Sequence, residues 1–332
     1  MIKTVSQDFL HLAEYFNPFS MSKFVFNVIT VLSLFSCLLS CNSKHSTLVS
    51  ETESTSLFAE NEKPRQLATG FSFTEGPASD AQGNVYFTDQ PNDKIYFWNT
   101  KSGSVSLFSD STHRSNGLYI DHENRLLACA DLKGEIIEFS SNGKSFTSIT
   151  SSLNAGRFNG PNDLWVNASG GIFFTDPNYP RPYWESPGSL AFINTMSLYY
   201  LTPQSDSAQL IDSNFKKPNG IIGSETLHKL YVTDADGNRT YVYELSNGSE
   251  LSDRKLFCEL GSDGMTLDER GNLYLTGNGV TVFNPQGEKI AHIPIDEHWT
   301  SNVTFSGSNN DLLFITASTS IYAMKMQVKG AN

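Results

Sequence analysis

Positive charge is scarce in this chain. Lys and Arg number 23 against 35 Asp and Glu, for a formal charge of −12 over 332 residues. That balance argues against a nucleic-acid partner, because phosphate binding needs a basic face. Charged residues of either sign are also few, 17% against the ~25% usual in soluble domains. Cysteine is rarer still: Cys37, Cys41, Cys129 and Cys258 are the whole complement. Neither Cys129 nor Cys258, the two beyond the head, has metal-ligand spacing, which removes a thiolate zinc site in the repeat region from consideration. The histidines beyond the head (His45, His113, His122, His228, His292 and His298) are scattered. There is no His-Glu-x-x-His, Gly-x-Ser-x-Gly elbow, phosphate loop or dinucleotide fingerprint. No segment sustains a 3.6-residue apolar period, so almost no helix is expected.

What the chain has in quantity is aromatics and turn residues. Phe and Tyr number 23 and 13, and the 24 Gly and 13 Pro fall largely between short apolar runs. That mixture suits many short strands joined by tight turns. One segment type keeps returning. Glu75, Asn116, Asn162, Asn219, Asp263 and Asn302 each carry a side-chain oxygen beside a small or turn-forming residue, just before a β-run, at spacings of 41, 46, 57, 44 and 39 residues. Each is followed 14 or 15 positions later by a second marker: Thr88-Asp89, Ala130-Asp131, Thr175-Asp176, Thr233-Asp234, Thr276-Gly277 and Thr316-Ala317. A period near 40 residues is that of β-propeller blades. The fold class expected is therefore all-β, a six-bladed propeller of four-stranded antiparallel blades over residues 63–328. The long spacing between the third and fourth repeats is an insertion, Pro177-Asn178-Tyr179-Pro180-Arg181-Pro182-Tyr183-Trp184-Glu185 and on to about Asn194. It reads either as a pocket wall or as a surface loop packing its own aromatics. Cys129 and Cys258 sit in apolar runs and are expected as buried free thiols.

Six equivalent side chains in successive blades converge on the ring axis. Two carboxylates, Glu75 and Asp263, with the amide oxygens of Asn162 and Asn219, form a hard-oxygen set suited to Ca2+ rather than zinc. Another divalent ion (Zn2+, Mn2+ or Mg2+) is the alternative. Any single Asn or Asp before Gly is ordinarily a turn residue, so the signal is the recurrence. Asn302 is read as a blade marker only, and His113 as a solvated loop residue.

The head is different material. Phe24 to Ser40 is a mostly apolar run after Lys23, interrupted by Asn27 and short for a membrane span. Residues 1–40 are therefore expected to be a signal-peptide region, with Met21 as the true start. Leu38-Leu39-Ser40-Cys41 resembles the bacterial lipobox, with Cys41 lipidated. Residues 41–62, rich in Ser, Thr and Glu, read as a flexible tether. The expected location is the bacterial cell envelope, periplasmic or outer-membrane facing, with a membrane contact through the lipid and the domain itself a monomer.

With these residues in hand, the chain resembles the family of senescence-marker protein, gluconolactonase and luciferin-regenerating enzyme. The carriers are Phe73-Thr74-Glu75-Gly76-Pro77, Gly160-Pro161-Asn162-Asp163-Leu164 with Phe174-Thr175-Asp176-Pro177, Lys217-Pro218-Asn219-Gly220 and Ser262-Asp263-Gly264-Met265. They span roughly residues 65–326. The resemblance implies one catalytic divalent ion, usually calcium, with Glu75, Asn219 and Asp263 as core ligands. It makes Asn162 a fourth ligand or a substrate contact, and carries Asn116 over to the substrate pocket more weakly. It implies hydrolysis of small sugar lactones such as gluconolactone, the metal polarising the carbonyl. Asp263 would then act as base or as nucleophile, and the residues do not separate the two. A phosphotriesterase-type hydrolase and a non-catalytic ligand-binding propeller are the competing readings.

Overall fold

The repeats resolve into blades. A computed structural model describes residues 56–150, 152–153, 156–184 and 195–331. Residues 1–40, expected as a signal region, and Cys41, expected to be lipidated, lie outside the described residues. So do the first part of the tether and the far end of the insertion. Among the described residues no helix is long and apolar enough to cross a membrane.

Blade 1 consists of Thr74–Ser79, Val85–Asp89, Lys94–Trp98 and Val105–Ser109, paired antiparallel in chain order. Blade 2 repeats it with Ser115–Ile120, Leu126–Ala130, Glu135–Phe139 and Phe146–Thr150. Blades 3, 4 and 5 open at Leu164–Val166, Pro218–Ser224 and Met265–Leu267. Blade 6 takes Thr300–Ser306, Leu312–Ala317 and Ser320–Lys325 from the end of the chain, and its fourth strand, Arg65–Thr69, from the beginning. Arg65 sits opposite Ala323. This pairing closes the ring, so the six sheets form one propeller. The helical element among the described residues is a three-residue 3-10 turn, Gln90–Asn92.

Burial grades outward as the composition dictates. The second strands are buried almost throughout, Leu126–Ala130 and Ile172–Asp176 at every residue, whereas the fourth strands, such as Val105–Ser109 and Glu250–Cys258, are largely accessible. A strand covered on both faces loses hydrophobic alternation, which is why Leu-Leu-Ala-Cys-Ala reads as a continuous apolar run. Cys129 and Cys258 are buried free thiols, as expected. The tether ends earlier than its composition suggests. Leu57 is buried against Tyr322 and Met326 and its carbonyl accepts the Gln327 N–H at 2.8 Å, so the folded domain begins near residue 57 rather than 63.

The second marker has a physical role in this ring. Thr88 Oγ1 donates to the Asn116 carbonyl at 3.1 Å, Thr175 Oγ1 to that of Asn219 at 2.6 Å, and Thr276 Oγ1 to that of Ser301 at 2.8 Å. Each hydroxyl staples one blade to the next at the anchor. The following aspartates act backward: Asp89 accepts the amides of Ser72 and Phe73, Asp176 those of Asn159 and Gly160, and Asp234 those of Lys216 and Lys217. These N–H groups belong to the turns that lead into Glu75, Asn162 and Asn219, and the buried pair, Asn159 and Gly160, would otherwise lack partners.

Candidate metal centre

The first strands carry a register shift at the anchor in four blades: between Glu75 and Ala78, Ser115 and Leu118, Pro218 and Ile221, and Thr300 and Asn302. Such bulges rotate a side chain out of the pleat. In the other two blades Asn162 and Asp263 stand ahead of the strand. Glu75, Asn116, Asn162, Asn219 and Asp263 thereby line one cavity of about 760 Å³, beside Tyr179, Arg181 and Trp299. All are buried except Asp263, which is partly accessible. Asn302 differs. It lines the cavity on the opposite side, with Asp163, and its Nδ2 donates to Glu75 Oε2 at 3.0 Å. It is more than a blade marker: it holds the buried carboxylate from below.

The hydrogen bonds leave a telling remainder. Asn219 Nδ2 donates to Asp263 Oδ1 at 2.8 Å and to the Tyr179 hydroxyl at 3.0 Å, while the Trp299 indole N–H donates to Asp263 Oδ2 at 2.7 Å. Glu75 Oε2 accepts the Gly76 N–H at 2.5 Å. The amide oxygens Asn116 Oδ1 and Asn219 Oδ1 are buried with no partner. A buried carbonyl without a donor is costly, about 1–3 kcal/mol. Here two of them face a cavity that also holds two carboxylates.

The carboxylates are likewise uncompensated. Burial, then the charges of Asp263 and Asp163, push Glu75 well above the usual carboxylate range. Burial pushes Asp263 up to about 6, against the pull of Trp299, Asn219 and Arg181. Asp163 is pushed up to about 7 by burial. Two carboxylates, Glu75 and Asp263, and two orphan carbonyls, all hard oxygen donors on one cavity, fit a calcium-type ion. Among the described residues no cluster of three or more His, Cys, Asp and Glu side chains could bind a metal, so an ion at this cavity would depend on the Asn oxygens as well as on the two carboxylates.

The insertion forms part of the wall. Tyr179 and Arg181 line the cavity, and Asp131 holds the rest. Asp131 accepts from Gln90 Nε2 at 2.9 Å, Arg181 Nε at 3.1 Å and the Tyr183 hydroxyl at 2.9 Å, and its carbonyl accepts from Trp184 Nε1 at 3.0 Å. In blades 1, 3 and 4 the matching aspartate binds its own turn. In blade 2 that duty passes to Asp93, which accepts the Thr112 and Arg114 amides, and Asp131 is released to hold the loop. His113 pairs with Glu135 at 2.5 Å, away from the cavity. Tyr179 and Arg181 belong to the insertion, and of its two readings the pocket wall is the one observed. Asp163, Asp131 and Trp299 are not singled out by sequence pattern as site residues, although Asp131 has a place in the Thr-Asp series.

Comparison with known proteins agrees with this architecture. Residues 73–319 match the family described as the SMP-30/gluconolactonase/LRE-like region. A gluconolactonase of Zymomonas mobilis is 26% identical over 291 residues, covering 80% of this chain and 81% of that protein. The structure of a gluconolactonase from Xanthomonas campestris superposes with a TM-score of 0.74 at 28% identity, over 82% of this chain and 91% of the other. A calcium-binding protein, regucalcin, from Agrobacterium tumefaciens shares the fold with a TM-score of 0.69 at 18% identity, over 81% and 95% of the two chains.

Proposed function

Because this chain belongs to the SMP-30/gluconolactonase/LRE-like family, we propose that it is a calcium-dependent lactonase acting on gluconolactone-type sugar lactones. The observation that carries the calcium part is the pair of orphaned amide oxygens, Asn116 Oδ1 and Asn219 Oδ1, on residues that line one cavity with Glu75 and Asp263. The lactone part rests on the gluconolactonases it resembles. Glu75, Asn219 and Asp263 would hold the ion, with Asn162 and Asn116 as a further ligand or as contacts to the sugar hydroxyls. When bound there, calcium supplies polarisation of the ester carbonyl.

The rest falls to the chain's own groups. An ionised carboxylate has about four acceptor positions. Asp263 uses one for Asn219 and one for Trp299. That leaves room for the ion and for one water proton, which supports Asp263 as base. A nucleophile would have to turn its oxygen toward the carbonyl against both of these bonds. Signal cleavage before Cys41 and lipid anchoring in a bacterial envelope remain part of the proposal, resting on the head sequence alone.

The deciding experiment is hydrolysis of gluconolactone before and after a chelator, with calcium re-added. Loss with chelator and return with calcium is expected. Unchanged hydrolysis in metal-free protein would remove the calcium requirement, and well-folded, calcium-loaded protein with no turnover would leave a binding propeller.

Acidity should compete with calcium. Glu75, Asp263 and Asp163 retain protons in the calcium-free fold to pH values where exposed carboxylates have lost them. Calcium held by Glu75 and Asp263 must displace the protons of those two groups. Its affinity is therefore expected to fall by at least about tenfold per pH unit below pH 6. Calorimetric titrations at pH 7.5 and pH 5 would show it, and equal affinities would contradict it. Stability of the calcium-free protein should run the opposite way. With folded values raised above the unfolded ones, the contribution is complete below about pH 4 and is lost as pH rises through about 6 to 7.

A further inference from the structure

Two aromatic side chains outside the anchor series close on the Asn219–Asp263 pair from different loops. Tyr179 comes from the insertion after blade 3's second strand, and Trp299 precedes blade 6. Both hydrogens of the Asn219 amide are spent, one on Asp263 Oδ1 at 2.8 Å and one on the Tyr179 hydroxyl at 3.0 Å. This fixes the amide with its Oδ1 as the end left without a partner. Trp299 Nε1 takes Asp263 Oδ2 at 2.7 Å, so the carboxylate is pinned at both oxygens.

Each aromatic is itself held. Lys217 Nζ lies 4.8 Å and the Arg181 guanidinium 5.8 Å from the Tyr179 ring centroid, and Arg181 is fixed by Asp131. The Trp299 backbone exchanges two bonds with Ser318, its N–H donating to Oγ at 3.0 Å and its carbonyl accepting from Oγ at 3.1 Å. Gly277 lies against the indole, where a Cβ would stand 3.6 Å from the ring.

We propose that Tyr179 and Trp299 are positioning residues for the cation: together they set the rotamer of Asn219 and the plane of Asp263 so that both present oxygen to the axis. The inference rests on the reading of the axis as a calcium site. Groups that orient a metal's ligands typically carry 10–100-fold of the affinity when removed. The insertion would thus serve ion binding as well as forming the cavity wall.

The test is calcium titration of the full domain carrying Tyr179→Phe or Trp299→Phe. Tyr179→Phe keeps the ring and removes only the hydroxyl, while Trp299→Phe exchanges the indole for a smaller ring without its N–H at a position 41% exposed, so the fold is retained. Each is expected to weaken calcium binding 10–100-fold while the calcium-free melting temperature moves by only a few degrees. The tryptophan fluorescence difference between wild type and Trp299→Phe should also change on calcium addition, with a midpoint at the wild-type affinity. Calcium affinities within about twofold of wild type in both variants would overturn the proposal while leaving the calcium site intact. A wild-type protein that takes up no calcium would overturn both. An affinity loss matched by a collapse of the melting temperature would also count against it, as a general loss of structure.

Discussion

Asp263→Ala is expected to lower kcat/KM for gluconolactone by about 10²–10⁴, the range for removing a positioned acid–base group. The carboxylate is the hub of the site. It joins Asn219 through Oδ1 and Trp299 through Oδ2, and it raises Glu75 by its charge. Its removal takes away the proposed ligand and base together with the acceptor that orients the Asn219 amide. Asp263→Asn separates these roles. It keeps an oxygen for the ion and loses the proton acceptor, so calcium affinity should fall less than turnover does. Steady-state kinetics beside calcium titration would read both. Hydrolysis within tenfold of wild type in Asp263→Ala would place the chemistry on another group.

Gly76→Ala is expected to be the most damaging small substitution in the ring. Gly76 has φ of +49°, and an added Cβ would lie 1.9 Å from the Asn116 carbonyl oxygen. A non-glycine residue in this region costs about 1–2 kcal/mol, and overpacking a further 1–3 kcal/mol. At roughly 2–4 °C per kcal/mol for a domain of this size, the melting temperature should drop by about 5–15 °C. Relief of the clash moves Glu75 or Asn116, so calcium binding should fail in the same variant. Gly103→Ala is the control: φ is +70° but nothing lies within 4 Å, so only the backbone cost remains. Equal melting temperatures for the two variants would show that the clash is relieved without cost.

The same logic explains why the repeats were legible. At Glu75-Gly76, Asn219-Gly220 and Asp263-Gly264 the glycine lets the next anchor segment approach. A Cβ on Gly220 would meet the Asp263 carbonyl at 2.6 Å, and one on Gly264 the Asn302 side chain at 2.0 Å. Inter-blade packing at the axis therefore writes itself into local sequence, and so do the Thr hydroxyls that staple blades 1, 3, 4 and 5 to the blade that follows. Arg65–Thr69 carried no such trace. Its partner lies some 250 residues away, and a fourth strand needs neither an anchor nor a staple.

Blade number, strand order and the five oxygen-bearing residues around the cavity were determined by the sequence itself, because each is set by a local motif repeated in every blade. Tertiary structure decided what those residues touch. Tyr179 and Trp299 reach Asp263 and Asn219 from loops without any repeat pattern, Asp131 is turned from its own blade to the insertion, and Asn302 supports Glu75 across the closure of the ring. A repeat records what every blade must do. Contacts made only once, between loops brought together by ring closure, leave no period to read.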